Sequence, residues 1–124
     1  MFDHCGVNVK DYPASRAFYE TALAPLGWTV AAEWPDHGVV GFGPEGQGKL
    51  WLHQREPVTA GAHIAFTCAD RPTVDAFYAA GLAGGGTDNG PPGPRWYHEN
   101  YYGAFVLDPD GNNIEAVCHV GPAD

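Results

Sequence analysis

The sequence predicts an α+β fold made of two βαβββ modules, and three observations support this prediction. First, residues 4–19 (HCGVNVKDYPASRAFY) align without a gap on residues 63–78 (HIAFTCADRPTVDAFY), with six of the 16 positions identical. Second, each copy changes from the two-residue period of a strand to the spacing of a helix. Third, strand-like segments bounded by Gly- and Pro-containing turns follow each helix. A repeat of this length indicates that the two halves fold alike.

Each copy of the repeat predicts a strand followed by an amphipathic helix. An acidic residue and a proline mark the start of the helix, Asp11 with Pro13 and Asp70 with Pro72, because proline is favoured in the first helical turn. Apolar residues at helical spacing then predict a buried stripe. The stripe consists of Ala17, Phe18, Thr21 and Ala22 in the first helix and of Val74, Phe77, Tyr78 and Leu82 in the second.

The segments after the helices predict the remaining strands. In the first half these are residues 28–34, 38–43 and 49–54; in the second half they are 101–108 and 113–119, preceded by a loop over 87–100. Residues 57–61 are the expected linker. The chain is therefore predicted to be one domain, 1–124, with modules 1–56 and 62–119.

Strand parity places three ionisable residues on sheet faces that the helices do not cover. Successive strand side chains point to opposite faces. If Cys5, Val7 and Val9 pack under the first helix, His4 faces the other way. The same parity assigns His63 and Glu115 to the open face of the second module, and Trp51 and His53 to the open face of the first.

Two imidazoles and a carboxylate on open faces allow two interpretations. If the open faces of the modules turn toward each other, His4, His63 and Glu115 form a facial two-histidine, one-carboxylate metal site with coordination positions left for substrate. Alternatively, the cleft holds no metal and Glu115 accepts hydrogen bonds from the imidazoles, because a buried carboxylate needs a partner.

Several motifs resemble the vicinal oxygen chelate superfamily, that is, the glyoxalase/bleomycin resistance/dioxygenase fold. The resemblance is carried by residues 3–28 (DHCGVNVKDYPASRAFYETALAPLGW), 63–66 (HIAF) and 100–117 (NYYGAFVLDPDGNNIEAV). It implies a U-shaped mixed-sheet cleft around a divalent metal ion (Zn, Ni, Mn or Fe), with His4, His63 and Glu115 as ligands. Trp51 stands where glyoxalase I-like members carry a carboxylate ligand, which disfavours lactoylglutathione lyase activity. Small members often form homodimers.

Substrate contacts are predicted on both halves. Trp51 is an apolar wall that could stack a flat substrate or simply pack in the core, and His53 lies about 7 Å further along the same strand. The loop 95–102 is rich in aromatic and ionisable residues, which could contact substrate or pack on a dimer partner. Within it, Arg95 and Tyr102 are predicted to bind substrate, and Glu99 or Tyr101 to act as the catalytic acid–base group.

Composition excludes some classes of partner. The formal charge of −9, with six Lys and Arg residues, disfavours nucleic acid and anionic membrane surfaces. Cys5, Cys68 and Cys118 form no CxxC pair, so we expect buried free thiols in a cytoplasmic protein.

The predicted function is a metal-dependent lyase-, isomerase- or transferase-type enzyme acting on a small oxygen-bearing substrate. The alternative is a metal-free protein that binds a small molecule or antibiotic, for which an acidic chain favours a planar cation.

Overall fold

The computed structural model describes residues 1–122, so the last two residues of the predicted domain lie outside the described residues. It confirms two βαβββ modules. The first consists of β1 (Cys5–Val9), α1 (Tyr12–Leu23), β2 (Thr29–Trp34), β3 (Val39–Gly43) and β4 (Leu50–Gln54), and the second of β5 (His63–Thr67), α2 (Arg71–Ala83), β6 (Thr87–Pro94), β7 (Tyr102–Leu107) and β8 (Asn113–Cys118).

Each module forms its own four-stranded mixed sheet. The strand orders are β1-β4-β3-β2 and β5-β8-β7-β6, so the two sheets have the same topology. The first strand of each module pairs in parallel with the last, and the other pairs are antiparallel. As a result Gly6 lies beside Trp51, and Ala65 lies beside Glu115. The strands β1 and β5 are edge strands of their sheets.

The two helices begin as the repeated Asp and Pro residues predict. The Asp11 carboxylate accepts a hydrogen bond from the backbone N–H of Ala14, and Asp70 accepts one from Thr73. Each helix also has a proline in its first turn. These caps satisfy backbone donors that have no partner inside the helix.

The buried face of α1 differs from the predicted stripe. Phe18 and Ala22 are buried as expected, but Ala17 and Thr21 are exposed. The buried positions are instead Tyr12, Ser15, Phe18, Tyr19, Ala22 and Leu23. These buried positions follow the i, i+3, i+4 spacing of one helix face. The predicted stripe was centred about one residue to the side of this face.

In α2 the prediction is wrong at one position. Val74 and Phe77 are buried, and Tyr78 packs against the core, but Leu82 is 38% exposed. The buried Gly81 occupies the next core-facing position, where a Cβ atom would lie 3.1 Å from the Val106 side chain. A side chain at position 81 would be tight against Val106, so the helix approaches the sheet closely here, and Leu82 lies to the side of this contact.

The predicted loop over 87–100 contains a strand. Residues Thr87–Pro94 form β6, which pairs antiparallel with β7 through a register interrupted by two irregularities. Its sequence, TDNGPPGP, has no apolar alternation, and proline is tolerated because β6 is an edge strand. Only the remainder, from Arg95 to Tyr101, is a loop.

One hydrophobic core joins the modules. Buried side chains from both helices and both sheets form a single cluster, and the Tyr19 hydroxyl of α1 donates to Asp108 at 2.5 Å. Cys68 and Cys118 are buried as expected, whereas Cys5 is exposed because burial on that face of β1 begins only at Val7. Within residues 1–122, no helix is long and apolar enough to cross a membrane.

Candidate functional site

The open face of the second sheet holds a buried carboxylate. Glu115 lies in the middle of β8 with 1% of its surface exposed, while its neighbours Ile114 and Ala116 pack into the core on the opposite face. Space for the carboxylate comes from Gly103, where a Cβ atom would lie 3.2 Å from Glu115 Oε2 and 3.1 Å from the Tyr101 ring. A larger residue at this position would crowd both groups.

Two side chains bind the Glu115 carboxylate. His63 Nε2 lies 2.8 Å from Oε1, and the Tyr101 hydroxyl donates to Oε2. Burial and, after it, the hydrogen bond to Glu115 raise the pKa of the Tyr101 hydroxyl well above its ordinary value. Tyr101 therefore stays protonated and donating at neutral pH, while the His63 side chain remains 54% exposed.

Arg95 lies at the border of this site. Its guanidinium donates to the carbonyls of Pro91, Gly93 and Pro94, and its Cζ stands 5.4 Å from the centroid of the Phe105 ring. The Phe105 ring in turn lies 6.3 Å from the His63 ring. The contacts of Arg95 thus hold the 91–95 segment against the site, and its donors are largely used by its own backbone.

The third predicted ligand, His4, is not part of this group. It precedes β1, is exposed, and its Nδ1 lies 2.7 Å from the Asp3 carboxylate. His4 and His63 border one open groove of about 730 Å³ between the sheet edges, whose other lining residues include Leu26, Trp28 and Phe66. Within residues 1–122, no three His, Cys, Asp or Glu side chains are grouped so that they could hold a metal ion.

A second cleft lies on the open face of the first sheet. It has a volume of about 270 Å³ and is lined by His4, Gly6, Asn8, Trp51, His53 and Arg55. The Trp51 ring stacks on Trp34 with a centroid distance of 6.0 Å and an angle of 24°. Burial and, to a lesser degree, the charge of Arg55 lower the pKa of His53, so this imidazole is neutral at pH 7.

Two predicted residues of the 95–102 loop lie away from both clefts. Tyr102 points to the helix-covered face, where its hydroxyl donates to Asp75 at 2.6 Å and the Arg71 guanidinium stacks 4.8 Å from its ring. Strand parity explains this position, because Tyr102 begins β7 and its side chain points to the face opposite to that of the next residue, Gly103, which lies beside Glu115. Glu99 is exposed in the loop, and no hydrogen bond or ion pair joins it to another described residue.

Sequence parity put Asn8 on the open face of β1, but neither Asn8 nor Arg55 was predicted to be a site residue. Each lies two residues beyond a residue that strand alternation assigns to the open face, Asn8 after Gly6 and Arg55 after His53. The parity rule could therefore have found them. Trp34 could not have been found in this way, because its contact with Trp51 depends on how far β2 extends beside β3.

The donors on the second sheet suit part of a metal site. Two ligands each about 2.1 Å from an ion lie about 3 Å apart at the 90° angle of an octahedral site, and His63 Nε2 and Glu115 Oε1 are separated by 2.8 Å. An imidazole nitrogen and a carboxylate oxygen are ligands that Zn²⁺, Mn²⁺ and Fe²⁺ all accept. One chain therefore supplies two of the three predicted ligands in one place.

Comparisons with known proteins agree with this fold. The family model of the Glyoxalase/Bleomycin resistance protein/Dioxygenase superfamily matches residues 1–116, and the chain belongs to this superfamily. A glyoxalase/bleomycin resistance protein from Albidiferax ferrireducens T118 is 33% identical with a TM-score of 0.80, over 95% of this chain and 98% of that one.

More distant solved structures show the same fold. A glyoxalase/bleomycin resistance protein/dioxygenase family enzyme from Burkholderia phytofirmans PsJN has 20% identity and a TM-score of 0.73, covering 95% of this chain and 98% of that one. Lactoylglutathione lyase from Agrobacterium tumefaciens has 19% identity and a TM-score of 0.67, covering 95% of this chain and 92% of that one. No curated protein matches the chain.

Proposed function

We propose that the protein is a divalent-metal-dependent enzyme of the lyase, isomerase or transferase type that acts on a small oxygen-bearing substrate. The observation that carries the proposal is the His63–Glu115 pair, separated by 2.8 Å on an open sheet face with the carboxylate buried. Members of the superfamily commonly bind divalent metal ions. A bound ion would supply Lewis-acid stabilisation of negative charge that develops on the substrate oxygen.

The residues around the pair have defined roles in this proposal. Tyr101 donates to one carboxylate oxygen and so orients Glu115, and because its hydroxyl stays protonated it is a candidate proton donor rather than a base. His63 is half exposed and remains accessible from the groove. Phe105 lies between His63 and Arg95 and borders one side of the site.

We assign the third ligand, His4, to a second copy of the chain in a homodimer. His4 lies on the first sheet, outside the His63–Glu115 group, and it is exposed. β1 and β5 are edge strands, and part of the β1 edge is already covered by the linker, where Thr59 bonds to both backbone groups of Asn8. A two-fold dimer that brings the open face of one first module against the second module of its partner would complete two equivalent sites.

A second function is supported by the same carboxylate. Both oxygens of Glu115 already accept a hydrogen bond, one from His63 and one from Tyr101, so the group is satisfied without an ion. Together with the Trp51 cleft, this favours a metal-free protein that binds a small molecule. The three free thiols support a reducing, cytoplasmic location for either function.

Metal analysis tests the proposal. Protein purified without a metal-affinity tag, and then incubated with Zn, Ni, Mn or Fe(II), is expected to hold one ion per chain. The variants His4→Ala and Glu115→Ala should lose it. His37→Ala, which removes an exposed imidazole from a turn, should keep it. Wild-type protein that stays metal-free with all four ions contradicts the enzyme proposal and leaves the binding function.

A further inference from the structure

The cleft of the first sheet has an aromatic wall. A Cβ atom on Gly41 would lie 2.6 Å from the Trp51 ring, and one on Gly48 would lie 2.4 Å from it. The absence of side chains at these two positions lets the indole lie flat against the sheet. Trp34 stacks on the ring, so the two indoles together form an apolar wall at the side of the cleft.

An arginine is fixed beside this wall with part of its guanidinium free. Arg55 Nε donates to the Asn8 side-chain oxygen at 2.9 Å, and Asn8 is itself held by the linker through Pro57 and Thr59. Within residues 1–122, neither terminal nitrogen of Arg55 has a hydrogen-bond or ion-pair partner. The fork of a guanidinium matches the two oxygens of a carboxylate.

The charge of the cleft is opposite to that of the chain. The formal charge of the protein is −9, but no carboxylate is among the six residues that line this cleft. The lining holds one permanent cation, Arg55, together with His53, Asn8 and the indole. A planar cation would therefore meet Arg55, and the carboxylate that lies nearest to the lining, Asp3, is already paired with His4 at 2.7 Å.

We infer that this cleft binds a planar aromatic carboxylate, with the ring packed against the Trp51 wall and the carboxylate paired with Arg55. The volume of about 270 Å³ lies just below the range of about 300–1,000 Å³ that is usual for ligand pockets, so it suits a ligand of one or two fused rings. The inference shares one assumption with the proposed function, namely that ligands bind on the open faces of the sheets. It requires no metal ion.

Binding of 2-naphthoate to the protein in EDTA tests the inference. The Trp51 indole N–H resonance, assigned from Trp51→Leu, should shift saturably, and the Trp96 resonance should not, because Trp96 is 90% exposed on another loop. Arg55→Gln should weaken binding about threefold, as expected for an exposed ion pair. Lys10→Gln, which removes one positive charge outside the cleft lining, should bind as the wild type does.

Two matched ligands decide the charge preference. Neutral 2-naphthamide and cationic 2-naphthylmethylamine have similar rings and should both bind more weakly than 2-naphthoate. Equal or tighter binding of either one, an unchanged affinity in Arg55→Gln, or the absence of a shift at Trp51 overturns the inference. Because Arg55 is a surface residue, its variant gives a result even if Trp51→Leu is unstable. EDTA makes the result independent of whether the metal proposal stands.

Discussion

Glu115 shows how a single charged residue is kept on a largely apolar strand. Its carboxylate is buried, and its two oxygens are bound by His63 and Tyr101 in the space that Gly103 leaves. Sequence parity predicted the positions of Glu115 and His63 on the same face. It could not predict the covering by Tyr101, because that contact depends on the loop before β7. It also did not separate Tyr101 from Tyr102, although neighbouring residues on a strand face opposite ways.

Removal of the Tyr101 hydroxyl should destabilise the protein. Tyr101→Phe leaves Glu115 Oε2 without its donor in a buried position, which is expected to lower the free energy of unfolding by about 2 kcal/mol. Urea denaturation followed by circular dichroism measures this change. Tyr97→Phe is the matched control, since Tyr97 is 44% exposed and packs edge-on against Tyr101. Equal stabilities of the two variants would show that the hydrogen bond contributes nothing.

At the scale of elements, α1 is joined to β2 by a small charged network. Arg16 Nε and Nη2 donate to the Glu33 carboxylate at 2.5 and 3.0 Å, and the Tyr12 hydroxyl donates to it at 2.7 Å. The hydrogen bonds from Arg16 and then from Tyr12 lower the pKa of Glu33. Because the folded-state pKa is below the unfolded value, the stabilisation is present above that value and is lost as the pH falls through the folded pKa.

The network predicts an acid-dependent stability difference. At pH 7 Glu33→Gln should be less stable than the wild type by about 1 kcal/mol, and the difference should shrink as the pH is lowered from 5 to about 3. Urea midpoints across this range measure it. Glu20→Gln removes a more exposed carboxylate that lies 3.4 Å from the same arginine and should have little effect. A difference between Glu33→Gln and wild type that stays constant with pH would refute the explanation.

The elements also show which patterns the sequence encodes strongly. The repeat, the Asp caps and the prolines predicted the order of the strands and helices because they are local signals. β6 escaped prediction because its Gly- and Pro-rich segment carries no alternation, and only its pairing with β7 makes it a strand. The exposure of Leu82 likewise depends on a tertiary contact, that of Gly81 with Val106. Tertiary packing therefore decided each of these differences.

At the scale of the whole molecule, the two modules share one core but carry different side chains on their open faces. The first sheet presents Trp51, His53 and Arg55, and the second presents His63 and Glu115. Sequence parity assigned most of these residues to the correct sheet face. It could not show how the faces of different modules meet, because no local pattern encodes that arrangement.

A mixed dimer tests whether the proposed metal site crosses two chains of the proposed dimer. In a dimer of one His4→Ala chain and one Glu115→Ala chain, one of the two shared sites would contain no substituted residue. The mixed dimer, purified through two different non-histidine tags, should therefore hold one ion, about half of the wild-type content. Each parent homodimer should hold none. An empty mixed dimer beside a loaded wild type would show that the ligands come from a single chain.

The ligand-cleft residues lie on the first sheet and the His63–Glu115 pair lies on the second, and this separation affects how ligand specificity could evolve. In the proposed dimer, Trp51 and Arg55 of one chain would face His63 and Glu115 of the other, and the two sets share no residue. A substitution that alters ligand preference would then leave the chain's own carboxylate and its supports unchanged. After gene duplication, one such substitution would give a heterodimer with two different pockets and unaltered reactive centres.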